Sequence, residues 1–256
     1  MIKAAFFDVD GTLYSHQTNQ VPPSTRKAIR KLQARGILCI VATGRHPVEL
    51  AEVPVEDIGF DAYMVMNGQV MLDRQKNTLF SVPFSGKAKE TLLAHFEKHL
   101  YPSLLLEKDD IYLNFSNERV LEAQAIFSLA TPKIGTYSGK EIYQFCLYIT
   151  DEEERLLDAI ADECVITRWH NYGIDIFAKG GGKMAGIQRY LDLIGIAQNE
   201  IIAFGDGEND AEMLRFAGIG VAMGNAAETT KSAADYVTAD IDDDGIAKAL
   251  AHFNLI

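Results

Sequence analysis

The chain has 256 residues, 48% hydrophobic and 23% charged, a globular balance that excludes a disordered or collagen-like chain and suits one large domain or two modest ones. Lysine and arginine number 24 against 36 aspartates and glutamates, a formal charge of −12; nucleic acid and anionic membranes, which require a cationic face, are disfavoured as partners. No apolar run approaches the roughly 18 residues that span a bilayer, and acid at Asp8 arrives before a signal-peptide apolar region can form, so a cytoplasmic protein is expected.

Short β-rich runs alternate with helical ones, the pattern of an α/β fold. Lys3–Phe7 is near-continuously apolar, as in a parallel strand covered on both faces. Ser24–Arg35 sets Ala28, Ile29 and Leu32 on one helical face and stops at Gly36. Ile37–Ala42 and Ala62–Met66 read as strands, and Asn67-Gly68 as a tight turn into a further strand at Gln69–Leu72. Between Val82 and Ala178 the texture changes. Helices are expected near Lys87–His99, Arg119–Leu129 and Glu152–Ile160, and strands near Leu104–Glu107, Ile111–Phe115, Tyr143–Thr150, Val165–Arg168 and Ile174–Phe177. The first grammar then resumes, with helices at Lys183–Ile194, Glu208–Phe216 and Ile246–Phe253 and strands at Ile201–Phe204 and Gly218–Ala222. The expected organisation is a discontinuous core, residues 1–81 and 179–256, interrupted by an inserted α/β domain at 82–178. The three cysteines, Cys39, Cys146 and Cys164, form no CxxC pair and read as buried reduced thiols.

Asp8, Thr43 and Asp206 each fall at or just beyond the C-terminal end of an expected strand, where open parallel sheets bind ligands. In Asp8-Val9-Asp10-Gly11-Thr12-Leu13, two carboxylates two residues apart can reach one reacting centre, one as nucleophile and one moving a proton. A calcium loop is excluded by spacing, because Leu13 stands where the sixth position needs glycine and Asn19 where the twelfth needs glutamate. Gly205-Asp206-Gly207-Glu208-Asn209-Asp210 gathers hard oxygen donors suited to Mg²⁺, or else forms a solvated helix-capping turn. Gly180-Gly181-Gly182-Lys183 fails as a P-loop, having Phe177 in place of the first glycine and Met184 in place of Ser/Thr; what remains is a lysine at a helix start, able to offer a point charge to phosphate. Gly218…Gly224 has one residue too many for a dinucleotide fingerprint.

Taken in order, Asp8-Val9-Asp10-Gly11-Thr12, Thr43, Lys183 and Gly205-Asp206…Asn209-Asp210 resemble the four motifs of the haloacid dehalogenase superfamily of phosphatases. The insertion is similar to that superfamily's type-IIB cap, and Thr43-Gly44-Arg45, Asn67-Gly68 and Met223-Gly224-Asn225-Ala226 resemble the Cof-type branch. The resemblance implies a Rossmann-like, doubly wound parallel sheet with an α/β cap of type C2B, and Mg²⁺-dependent hydrolysis of small phosphorylated metabolites such as sugar phosphates, FMN- or PLP-type cofactors or nucleotides. It implies Asp8 as nucleophile, passing through an aspartyl-phosphate, and Asp10 as acid and base with a raised pKa or a well-placed proton. Mg²⁺ would be held by Asp8, the Asp10 carbonyl and Asp206. Thr43, Gly44, Lys183 and Asn209 would hold the phosphoryl oxygens, with Asp210 and Arg45 behind them. Such local positive charge reconciles an acidic chain with an anionic substrate.

Tyr112, Asn114, Trp169, His170 and Asn171 are candidate cap contacts to the leaving group, Arg45 a candidate bridge from core to cap, and His46 an expected surface histidine. The acidic stretches Asp151–Glu154 and Asp240–Asp244 read as solvated faces or helix starts. A sugar phosphomutase of the phosphomannomutase type and a non-catalytic sugar-phosphate sensor are the alternatives. The mutase lacks an obvious set of cap arginines for a second phosphate, and a sensor has no need of the Asp8/Asp10 pair.

Overall fold

The computed structural model describes residues 1–126 and 131–256. The helix expected at Arg119–Leu129 is observed at Glu118–Ile126; the end of the expected span lies outside the described residues.

The first sheet is built from β1 (Ala4–Phe7), β2 (Leu38–Ala42), β3 (Ala62–Val65), β4 (Val70–Asp73) and β5 (Thr78–Ser81). The second contains β6 (Ser103–Glu107), β7 (Ile111–Leu113), β8 (Ile142–Tyr148), β9 (Cys164–His170) and β10 (Gly173–Ala178). The chain then returns to the first sheet with β11 (Ile201–Gly205), β12 (Ile219–Ala222) and β13 (Tyr236–Val237). The strand orders are β13-β12-β11-β1-β2-β3-β4-β5 and β7-β6-β8-β10-β9.

From β13 through β3 every pairing is parallel. The chain winds outward from β1 through β2 and β3, then restarts on β1's other side with β11, so the winding reverses between β1 and β11. The sheet departs from a purely parallel one at its far edge, where β4 and β5 run antiparallel. A short connection can join only antiparallel neighbours, and the turn at 66–69 is such a connection.

Alternation along β1 divides the core into two layers. Ala5 and Phe7 point to a layer with Ala28, Ile29 and Leu32 of the helix Pro23–Ala34 and Ile246, Ala249 and Leu250 of the helix Gly245–His252. Ala4 and Phe6 point the other way, to Ile187, Tyr190 and Leu191 of the helix Lys183–Ile194 and to Met213 and Leu214. Phe7 also stacks on Phe204 of β11, ring centroids 5.0 Å apart, which joins the two strands that carry the site.

The second sheet is wholly antiparallel. One face packs Phe145, Leu147, Ile174 and Ile176 against Ala88, Leu92 and Phe96 of the helix Gly86–Glu97 and against Leu157 and Ile160. The segment expected as an α-helix at Glu152–Ile160 is a 3-10 helix, Asp151–Ile160. The other face turns to the first sheet, and Leu104, Leu106, Cys146 and Tyr148 join the same apolar cluster as Phe7 and Val65.

Candidate active site

Asp8, Thr43 and Asp206 each lie one residue beyond a strand, β1, β2 and β11 respectively, and backbone bonds continue the ladder into two of them: Asp8 N donates to Phe204 O at 3.0 Å and Thr43 N to Met64 O at 2.9 Å. Neighbouring parallel strands end on one edge, so residues scattered over most of the chain converge there, at the point where the winding reverses.

Lys183 opens its helix directly after the glycine run, in which Gly180 and Gly182 have φ of +79° and +101°. These left-handed turns suit glycine and bring the lysine into the crevice, where it is 3% exposed. Its Nζ donates at 2.6 Å to Asp8 Oδ1 and at 2.6 Å to Asp210 Oδ1. The second oxygen of Asp210 accepts from the Asp206 and Gly207 amides at 3.0 and 2.9 Å, so both oxygens are committed to orienting neighbours. Asp206 Oδ1 accepts from Thr12 Oγ1 at 2.6 Å. Gly11, at φ +75°, lies so close that any Cβ there would run into the Asp206 carboxylate.

Burial, reinforced by Asp210, pushes the Asp8 carboxyl well above the ordinary range despite the opposing Lys183. Burial and Asp210 likewise raise Asp206 to about 7. Burial works against a charged Lys183, but Asp210 and Asp8 outweigh it and hold the ammonium protonated. Ligand atoms of Asp8, Asp206 and Asp210 lie within 4.8 Å of one another. Three carboxylates against one ammonium leave a buried excess of negative charge on hard oxygens, and the donor set fits a divalent cation of the Mg²⁺ type.

Asp10 differs from expectation. Its carboxylate is clasped by Arg45, through Nε at 2.8 Å and a terminal nitrogen at 2.7 Å, with His16 Nε2 at 2.8 Å. Burial would raise its pKa, but the hydrogen bonds from Arg45 and His16 prevail and hold it down at about 2. The raised value expected for an acid is absent in this arrangement.

Arg45 makes its side-chain hydrogen bonds to Asp10 and the Glu49 carbonyl, within the core segment. Its neighbour His46 makes the crossing instead. It is fully buried, contrary to the expected surface position, with Nδ1 accepting from Val48 N at 3.2 Å and Nε2 2.8 Å from the Glu107 carbonyl of β6. Burial lowers its pKa, and a neutral ring accepting at Nδ1 donates at Nε2. Thr43 is buried and its Oγ1 accepts from Arg45 N at 3.1 Å.

Between the sheets lies a cavity of about 700 Å³, lined by Asp8, Asp10, Thr43, Gly44, Asp206 and Asn209 on one side and by Gln144, Tyr148 and Trp169 on the other. His170 and Asn171 also reach it, while Tyr112 and Asn114 do not line it. Asn114 instead holds local backbone, accepting from Ser103 N and donating to the Phe96 and Tyr101 carbonyls, and Tyr112 packs against Gly135.

Asn67 is the residue whose part the sequence reading missed. It sits at φ +51° between Met66 at +49° and Gly68 at +83°, a run of left-handed residues that only a closely determined site sustains. Its Oδ1 accepts from Asn209 at 3.1 Å, and its Nδ2 donates to Gln144 at 3.2 Å and to Asp175 at 3.0 Å. One amide thus ties the Asp206–Asp210 loop to β8 and β10. The Asn-Gly pair signalled a turn; nothing in it signalled what the side chain reaches.

Comparison with known proteins bears on the family and the fold. A family model for haloacid dehalogenase-like hydrolases matches residues 5–250. YkrA of Bacillus subtilis, whose phosphatase name is provisional, is 34% identical over 257 residues, covering 99% of this chain and 98% of its own. The phosphatase BT1666 of Bacteroides thetaiotaomicron superposes with a TM-score of 0.91 at 32% identity, over 100% of this chain and 96% of its own. The subclass IIB sugar phosphatase BT4131 superposes at 0.87 with 37% identity, over 99% and 100%. Sequence and fold thus agree over both sheets, and the chain belongs to the haloacid dehalogenase-like hydrolases as a phosphatase with the subclass IIB architecture.

Proposed function

We propose that the protein is a Mg²⁺-dependent phosphatase of small phosphorylated metabolites that works through an aspartyl-phosphate on Asp8. The observation that carries this reading is the Lys183 ammonium held between Asp8 and Asp210 at 2.6 Å from each, at the β1/β11 crevice. A buried carboxylate is a useful nucleophile only when ionised, and here its charge is supported by the lysine and by a cation the neighbouring oxygens can hold. Asp8, Asp206 and the Asp10 carbonyl would hold Mg²⁺, which supplies neutralisation of the phosphoryl oxygens. Asp210 remains behind, fixing Lys183 and the loop amides.

Asp8 attacks phosphorus in line and expels the alkoxide, and water then cleaves the acyl phosphate. Lys183, Thr43, the Gly44 amide and Asn209 steady the transferring oxygens, a role in which fixed positive charge and donors count most. Asp10, ionised against Arg45, is prepared to take a proton from the attacking water; giving one to the leaving oxygen requires it to loosen that clasp. Residues 82–178 act as the cap that covers the leaving group and excludes water, on a core of 1–81 and 179–256. The phosphomutase alternative needs a cationic seat for a second phosphate, whereas both arginines lining the cavity, Arg45 and Arg168, are engaged by carboxylates.

The test is release of phosphate from p-nitrophenyl phosphate with and without Mg²⁺, comparing the wild type with Asp8→Ala. Metal-dependent release lost in the variant supports the reading. A variant that keeps its rate, or a folded wild type that releases nothing, refutes it.

A further inference from the structure

The cavity wall around Tyr148 and Asp175 has a charge character of its own. Gln124, 6% exposed, donates through Nε2 to the Tyr148 hydroxyl at 2.5 Å, and its Oε1 has no hydrogen-bond partner among the described residues. A buried acceptor left open on a cavity wall costs stability unless a ligand or water supplies a donor. Two carboxylates share this wall, Asp175 and Glu49. Asp175 accepts from Asn67 at 3.0 Å and from the Trp169 indole at 3.1 Å; Glu49 accepts from the His46 amide at 2.8 Å through one oxygen. Each retains lone pairs for another donor.

The lining arginines offer nothing to an anion. Arg45 is clasped on Asp10. Arg168 is spread over Asp151, Glu154 and the carbonyls of Ile149, His170 and Asn171. No lysine is among the described lining residues. Trp169, beside Asp175, adds an aromatic face of the kind that attracts cations.

Resting on the phosphatase reading above, we propose that this cavity selects phosphomonoesters whose leaving group is rich in hydrogen-bond donors and carries a protonated amine, and that it rejects those bearing a second anionic group. The phosphate end and the leaving-group end then demand opposite charges of one substrate. Discrimination arises as much from repulsion of the wrong substrate as from attraction of the right one.

A matched set of substrates tests this near pH 7, where the amino-sugar amine is mostly protonated and Asp175 is partly ionised, with p-nitrophenyl phosphate as reference: glucosamine 6-phosphate, glucose 6-phosphate and 6-phosphogluconate. The expected order of kcat/KM is amine, hydroxyl, carboxylate. The steps are on the order of tenfold and a hundredfold, as unit charges a few ångströms apart in a partly desolvated site produce. In Asp175→Asn the amine-to-hydroxyl ratio falls toward unity. Being a ratio within one variant, it is insensitive to any loss of folded protein. A flat order, or a carboxylate preference, with p-nitrophenyl phosphate still hydrolysed overturns the selectivity alone. Failure to hydrolyse p-nitrophenyl phosphate overturns the reaction reading and the selectivity with it.

Discussion

Asp175→Asn has a consequence for stability that can be worked out with its sign. Burial raises the Asp175 carboxyl from 3.8 to about 7, against hydrogen bonds from Asn67 and Trp169 that pull it down. The folded protein therefore keeps this proton up to about pH 7, while the unfolded chain loses it near 3.8. A raised folded-state pKa contributes stability that is full below 3.8 and is lost as pH rises through about 7. The gap between 3.8 and about 7, at about 1.4 kcal/mol per tenfold, amounts to about 4 kcal/mol. The part falling between about pH 5 and pH 8 is about 3 kcal/mol, and cavity water reduces it to about 2 kcal/mol. Asparagine cannot titrate, so wild type loses ground to the variant by that amount across the interval. The amide nitrogen, set against the Asn67 or Trp169 donor, adds a cost of about 1–3 kcal/mol that is the same at every pH. Urea unfolding of both proteins at several pH values separates the two effects, since only the titration changes with pH. A stability difference that stays constant from pH 5 to pH 8 refutes the assignment of Asp175 as a carboxyl whose surroundings hold its proton up to about pH 7.

Further outcomes follow from the close contacts of the site. Gly11→Ala places a methyl against the Asp206 carboxylate on a backbone with φ +75°; on the proposed function it displaces a carboxylate assigned to the metal, and metal-dependent kcat/KM falls on the order of a hundredfold or more, checked by titrating Mg²⁺ against rate. Asn67→Ala removes the bonds to Asn209, Gln144 and Asp175 from a residue at φ +51°. The expected loss is about 1–3 kcal/mol by denaturant unfolding, with a raised KM, and Asn67→Gly recovers the backbone share but not the KM.

The core was legible because its physics is local. Apolar runs of strand length, helical faces such as Ala28–Ile29–Leu32 and terminating glycines marked the elements, and the strand ends marked where Asp8, Thr43 and Asp206 meet. The strands that escaped notice are those that pairing rather than composition makes into strands: β5, half exposed, and the two-residue β13. The site's second layer was harder to see. Nothing near Asp10 in the sequence indicates that Arg45 and His16 hold it ionised, because a carboxylate's pKa depends on neighbours brought in by the fold. The burial of His46 was out of reach for the same reason: it depends on the Glu107 carbonyl of β6, which the fold brings to its ring. Tyr112 and Asn114 had the right chemistry, but they lie on and just beyond β7, the strand at the outer edge of its sheet.

Trapping the covalent intermediate tests the central claim most directly. Wild type mixed with a labelled phosphomonoester and Mg²⁺, then quenched in acid within the first turnover, should retain label on the protein, mapped to Asp8 and released by hydroxylamine as an acyl phosphate is. Asp8→Asn should retain none. Turnover with no label on the protein at any quench time, or label on a residue other than Asp8, would contradict the account.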